Sequence, residues 1–268
     1  MARPFGYVDP NFPNPGGPND TSTIIYGYTQ SIAIAAFTAA WFFFHFITHT
    51  VQNWKLRSWW WMTFSTGLVF EIIGYIAWSL SAKKDPYSLI FFVLNYFFIV
   101  TAPVIFAAGI YTVLSALISR LGNMYSFLRP AVILGFFISS DVISTIVQIA
   151  GARLVGVKES RRQDPTTANN VLLAGLAYRV FAMSIFVLLM STFQLRARLA
   201  IKEHGLPVFR LSLSISTLVV YMRTIFRLIE TAEGLGGKLS TREVYFAGLE
   251  FAPIALVALL FCIWDPGR

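Results

Sequence analysis

Long apolar stretches are the feature that most constrains the fold of this chain. Seven of them follow one another, at residues 24–49, 59–81, 88–117, 130–152, 170–195, 208–231 and 243–264. Each can cross about 30 Å of hydrocarbon as a helix that rises about 1.5 Å per residue. A membrane β-barrel would instead show alternating segments of about ten residues. The sequence therefore predicts an all-α fold, an integral membrane bundle of seven transmembrane helices.

The overall composition agrees with a membrane protein. Charged residues make up 13% of the chain and hydrophobic residues 56%, whereas a soluble domain carries about 25% charged residues. The net charge of +8 is assigned to loops beside anionic lipid head groups, so nucleic acid is not an expected partner. The single Cys262 excludes an internal disulfide. The sequence shows no Walker loop and no dinucleotide fingerprint, and it predicts neither a cofactor nor a metal.

The domain organisation is simple. Residues 1–22 are rich in Pro and Gly and are predicted to form an exposed tail, and residues 23–265 form the transmembrane domain. The sequon that begins at Asn19 predicts a glycan and an amino terminus outside the cell or in a lumen, with the carboxyl terminus cytosolic. Lys and Arg are evenly divided between the two sides, so the positive-inside rule does not decide the orientation. The plasma membrane and an internal membrane both remain open.

Ionisable residues inside the apolar stretches point to a functional site. Glu71 lies near the middle of the second stretch, where a charge costs at least a few kcal/mol (~3) and is rarely kept without a use. Tyr75 and Trp78 follow Glu71 at i+4 and i+7 and share its helical face. Asp141 lies in the fourth stretch and shares a face with Gln148. These spacings predict polar faces that are turned into the bundle.

Further charged residues in the later stretches predict ion pairs. Arg227 and Glu230 are spaced i, i+3 and can pair on one helix. Two alternatives remain open: structural ion pairs that fix helix register, or an outward-opening polar cavity that takes a head group or a proton. If the cavity exists, its substrate-binding candidates are Glu71, Tyr75, Asp141, Gln148, Arg223, Arg227, Glu230 and Glu250, with Arg179 as a further cation.

Two histidines raise the question of a metal site. His45 and His49 are spaced i, i+4 at the end of the first stretch, which suits metal binding. No third Cys or His ligand is apparent. We therefore interpret them as interfacial polar residues beside the nearby tryptophans, with no metal.

Several segments together resemble the fungal lipid-translocating exporter family, the seven-span proteins known for 7-aminocholesterol resistance. These segments are FEIIGYIAW, APVIFAAGIYTVLSALI, SSDVISTIVQIAGA and RTIFRLIETAEGLGGKLSTREVYF, with WDPG near the end. The resemblance extends from about His49 to Pro266. It implies a seven-helix protein that handles lipids, sphingoid bases or porphyrins. Trp78 stands where the family usually has Arg, which removes the expected partner of Glu71 and marks a divergent member.

Three functions follow as hypotheses. The first is a transporter or translocator that exports or flips lipids or amphiphilic metabolites, in fungal secondary metabolism or toxin resistance, by scrambling or by proton coupling. The second is an integral membrane enzyme, such as a terpene cyclase, in which Glu71 or Asp141 is the general acid. The third is a seven-span receptor or sensor, for which a span count is weak support.

Overall fold

Helices account for nearly all of the chain that the computed structural model describes, which is residues 32–57, 62–84, 89–160, 163–234, 239 and 243–264. The elements are α1 (Ile32–Leu56), α2 (Met62–Lys84), α3 (Leu89–Leu121), a 3₁₀ turn (Asn123–Tyr125), α4 (Pro130–Ser160), α5 (Thr166–Arg196), α6 (Arg198–Glu203), α7 (Pro207–Glu233), α8 (Glu243–Phe246), a π-helical turn (Ala247–Phe251) and α9 (Ala252–Ile263). The prediction of an all-α protein is confirmed for these residues. The predicted tail 1–22 and the sequon at Asn19 lie outside them.

Six helices in the described part are long and apolar enough to cross a membrane: α1, α2, α3, α4, α5 and α7. The last apolar segment, Ala247–Ile263, is shorter. The prediction of a multi-pass membrane bundle is therefore confirmed with six to seven spanning helices.

The helix boundaries differ from the predicted stretches. Helix α1 continues to Leu56 and α4 to Ser160, whereas the apolar stretches end at residues 49 and 152. The segment 196–207, which was predicted as a loop, contains the short helix α6. Hydropathy marks the part of a helix that lies in hydrocarbon, and it does not report where the helix continues into water. The predicted boundaries were wrong for this reason.

Neighbouring helices in the chain pack antiparallel, and the last helix closes the bundle. Helices α1 to α5 pack in sequence, α7 packs on α5 and α3, and α9 packs on α7 and α1. Helix α3 is the most enclosed of the six membrane-length helices. Side chains from α2, α4 and α7 can therefore meet around it.

Glycines allow α2 and α3 to approach closely. A Cβ atom on Gly67 would lie 3.0 Å from the Phe106 ring, and one on Gly109 would overlap the Phe64 ring. The two phenylalanine rings meet edge-to-face, with centroids 5.5 Å apart. Each helix thus inserts a ring over the glycine of the other, which is how small residues help membrane helices to pack.

Candidate functional site: a buried charge network

Asp141 lies in the middle of α4 and has partners from two other helices. Tyr111 of α3 donates a hydrogen bond from its hydroxyl to Asp141 Oδ2 at 2.9 Å. The Arg179 Nε of α5 lies 3.8 Å from Asp141 Oδ1, and all three residues are buried. The sequence predicted the ion pair in general terms but gave no role to Tyr111. A tyrosine within the most apolar of the six membrane-length helices was the available signal, since a buried Tyr hydroxyl usually finds a partner.

The predicted polar face of α4 is buried as a unit. Ser144 and Gln148 are both fully enclosed, as Asp141 is. Gln148 Nε2 donates to Ser144 Oγ at 2.6 Å, and the Ser144 hydroxyl donates to the Gly175 carbonyl of α5 at 2.8 Å. The Ser144–Gly175 bond connects α4 and α5 beside the Asp141–Arg179 pair. The α4 face therefore helps to fix the crossing of the two helices.

Arg223 of α7 lies at the centre of a second group. Its Nη2 donates to Glu250 Oε1 and also to the Ile99 carbonyl of α3 at 3.1 Å. Glu250 belongs to the π-helical turn Ala247–Phe251. A π turn takes one more residue than an α turn and often occurs at functional sites. Pro253, the second residue after the turn, cannot donate a backbone hydrogen bond to it.

Arg227 extends this group towards the end of α7. Its Nη1 donates to Glu230 Oε2 at 2.8 Å, which confirms the predicted i, i+3 pair. Its Nε lies 3.9 Å from Glu250 Oε1, and its guanidinium lies 5.4 Å from the centre of the Tyr96 ring. Glu250 is thus shared by Arg223 and Arg227.

Glu71 differs from the other buried carboxyl groups of the described residues because no arginine lies within ion-pair distance of it. It is 2% exposed, and its Oε1 has no hydrogen-bond partner in the described part of the protein. Arg223 and Glu250 are close enough to act on it electrostatically. The predicted face is confirmed, because Tyr75 and Trp78 are buried beside it and Phe42 of α1 stacks on the Tyr75 ring.

The network contains more carboxyl groups than arginines. We define it, for the described residues, as four acids and three bases: Glu71, Asp141, Glu230, Glu250, Arg179, Arg223 and Arg227. Each arginine has a carboxylate partner other than Glu71. Glu71 is therefore the surplus acid.

A small cavity joins the two halves of the network. It has a volume of about 10 Å³, room for roughly one water molecule, and is lined in part by Gln148, Arg179, Arg223 and Arg227. One of the two alternatives left open by the sequence was a cavity that admits a head group from outside, and this cavity is far too small for a head group. A larger cavity of about 320 Å³ lies between α3 and α4, bordered by Ser115 and Pro130, away from the charges.

The two histidines are buried inside the bundle. His45 and His49 are 2% and 0% exposed, and their position at the membrane interface stays a prediction. A nitrogen of His45 lies 3.0 Å from the Trp41 carbonyl, and Nε2 of His49 lies 3.0 Å from the Ala258 carbonyl of α9. They repeat along the inner face of α1 with Phe42, at a spacing that was visible in the sequence. Within the described residues, no group of three or more His, Cys, Asp and Glu side chains could hold a metal.

Comparison with known proteins identifies the family. Residues 64–268 match the family described as RTA1 like protein. The sphingoid long-chain base transporter RSB1 of Saccharomyces cerevisiae (strain Lalvin EC1118 / Prise de mousse) is 30% identical over 259 residues, which cover 82% of this chain and 67% of that protein. Protein RTM1 of Saccharomyces cerevisiae is 27% identical over 209 residues, 74% of this chain and 64% of the relative. Protoporphyrin uptake protein 1 of Saccharomyces cerevisiae (strain ATCC 204508 / S288c) is 25% identical over 207 residues, 75% of this chain and 66% of the relative. No solved structure matches the chain. The resemblance stated from the sequence is confirmed, and the chain belongs to the RTA1-like family.

Proposed function

We propose that this protein translocates amphiphiles with a cationic head group across the membrane, and that the buried charge network receives that head group. The observation that carries the proposal is the surplus carboxyl, Glu71, whose Oε1 is buried without a hydrogen-bond partner in the described residues. An unpaired buried charge is expensive unless a counter-ion can reach it. An ammonium head group would be such a counter-ion.

The names of the relatives support this class of substrate. A sphingoid long-chain base is an amine with a long apolar tail, and a relative at 30% identity is named as its transporter. The amine would lie among Glu71, Glu250 and Asp141, while the tail stays among the apolar side chains and the lipid. Tyr75, Gln148, Arg223, Arg227 and Glu230 complete the proposed site. A role in secondary metabolism or toxin resistance stays a prediction.

Transport requires the bundle to open. The cavity beside the arginines holds about one water molecule, so helices must separate before a head group enters. We infer seven crossings, with the segment from Glu243 to Ile263 as the seventh, since it is about 30 Å long at the usual rise per residue. We further propose that the amino terminus is outside or lumenal, as the Asn19 sequon favours.

Reconstitution tests the proposal. Purified protein in liposomes is expected to move a fluorescent long-chain amine faster than empty liposomes do, and to leave its uncharged N-acetylated analogue at the empty-liposome rate. Glu71→Gln should abolish the protein-dependent movement. Glu203→Gln is the matched control, because Glu203 is exposed on α6 and the chemical change is the same.

Other outcomes favour the other hypotheses. Equal movement of the amine and its acetylated analogue would contradict a cation site. No movement, with conversion of a prenylated epoxide by protein in detergent, would favour the membrane enzyme with Glu71 or Asp141 as its acid. Amine binding that changes the protein without movement or conversion would favour a receptor.

A further inference from the structure

The arginines of the network are each committed to a partner. Arg179 lies beside Asp141, Arg223 beside Glu250, and Arg227 donates to Glu230 at 2.8 Å. Arg223 is additionally held by the Ile99 carbonyl, so it is not free to move fully onto Glu71. Glu71 is thus influenced by a guanidinium that another carboxylate already occupies.

Charged and titratable groups lie around Glu71 on α7, the π-helical turn, α1 and α3. Arg223 of α7 and Glu250 of the π-helical turn act on it electrostatically. From α1, His45 lies near the level of Glu71, because Phe42 stacks on Tyr75 and His49 stacks on Phe64 in the antiparallel pair α1 and α2. The Nδ1 of His45 is engaged with Trp41.

The side of the site that is formed by α3 has two titratable side chains with partners of their own. Tyr111 donates to Asp141, and Tyr96 packs against Arg227. Asn95 of α3 donates to the Gly74 carbonyl of α2 at 3.0 Å. None of these contacts supplies a cation to Glu71.

The geometry points to Glu71 as an exchange site that holds either a proton or the ammonium head group, so that this protein exchanges protons for its cationic substrate. The inference rests on the proposed function and adds its coupling. With neither cation bound, Glu71 would be a buried carboxylate without its own counter-charge, which low-polarity surroundings disfavour. With both bound, the network would carry an unbalanced positive charge.

The exchange is balanced one for one. When the ammonium group enters, the proton leaves the Glu71 carboxyl for water on that side of the membrane. When the ammonium group leaves on the other side, a proton from water there returns to Glu71. No bond of the substrate is made or broken.

Proton release on binding is the first test. A long-chain alkylamine is added to purified protein in detergent, weakly buffered at about pH 6, where an alkylamine is fully protonated and can release nothing itself. Wild type should release about one proton per amine bound. In the pH range where the Glu71 carboxyl is protonated before binding, the affinity for the amine should fall about tenfold for each unit that the pH is lowered. Glu71→Gln should release none, Glu71→Asp should keep the release, and Glu203→Gln should match wild type.

The results that overturn the inference are distinct. Binding by wild type without proton release refutes it, and so does equal release by a folded Glu71→Gln protein. If Glu71→Gln does not fold, the proton count of wild type and of Glu71→Asp decides.

A second test separates this inference from the proposed function. In proteoliposomes, an imposed pH gradient should drive the amine towards the acidic side against its own gradient, and amine movement should shift the internal pH. Amine movement that is independent of the gradient and leaves the internal pH unchanged refutes the exchange but retains the proposed function. No amine movement under any gradient refutes both.

Discussion

A pair of glycines on α4 gives a direct test of how α4 and α5 pack. Gly151 faces α5, and a Cβ atom there would lie 2.7 Å from the Leu172 backbone nitrogen and 2.8 Å from its Cα. Gly135 is on the same helix, and a Cβ atom there would meet nothing within 4 Å. The same substitution, Gly→Ala, therefore has opposite consequences at the two positions.

The magnitudes follow from the contacts. In a helix, Gly→Ala gains up to about 1 kcal/mol from backbone propensity, so Gly135→Ala should be neutral to slightly stabilising. At Gly151 the obstructing atoms are backbone, which cannot rotate away, so the helices must separate. Overpacking of this kind costs about 1–3 kcal/mol. After a propensity gain of up to about 1 kcal/mol, we expect Gly151→Ala to be destabilising by up to about 2 kcal/mol.

Thermal unfolding of the detergent-solubilised protein, followed by size-exclusion chromatography, measures the difference. A loss of 1 kcal/mol corresponds to about 2–4 °C in Tm for a protein of this size. Gly151→Ala should therefore melt several degrees below Gly135→Ala. If the two variants melt together, or Gly151→Ala melts higher, the close contact of α4 and α5 is not as the structure describes it.

Three further predictions concern the charge network and its surroundings. Glu250→Gln should destabilise the protein by about 3–5 kcal/mol, because it leaves Arg223 buried without its carboxylate. The double variant Arg223→Met, Glu250→Leu should lose less stability than Glu250→Gln alone. A larger loss of stability in the double variant would contradict the pairing. Tyr111→Phe should lower the stability of the protein by about 1–3 kcal/mol, since Asp141 loses a buried hydrogen bond. Tyr178→Phe is the control, because Tyr178 is 42% exposed, and this variant should melt at the same temperature as wild type. The hydroxyl and then the backbone amide of Thr166 donate hydrogen bonds to Asp164, and they hold the pKa of its carboxyl below the usual range. Protection of the Thr166 amide from hydrogen exchange should therefore be full above the ordinary pKa of Asp, about 3.9, and should be lost as the pH falls through the lower folded value. Loss of protection already near neutral pH would refute this role.

The sequence was a good guide to the helices and a partial guide to the site. Apolar stretches located the membrane-length helices because backbone groups in lipid must be bonded within a helix. The helical period also predicted the buried faces around Glu71 and Asp141, since both depend on contacts within one helix. The Arg227–Glu230 pair is local for the same reason.

Partners from distant helices could not be predicted in this way. Arg223 meets Glu250 only because α7 and the π-helical turn pack at a particular register, and the Tyr111 contact with Asp141 likewise needs α3 beside α4. The burial of the two histidines also depends on packing between helices, since Nε2 of His49 lies 3.0 Å from the Ala258 carbonyl of α9.

The π-helical turn Ala247–Phe251 contains one residue more than an α-helical turn. One residue corresponds to about 100° of turn in an α-helix, so closing this turn into α-helical geometry would rotate α8 by about that angle relative to α9. Glu250, which lies inside the turn, would then leave its position against Arg223. The pairing of Arg223 thus depends on the helical winding of one short segment.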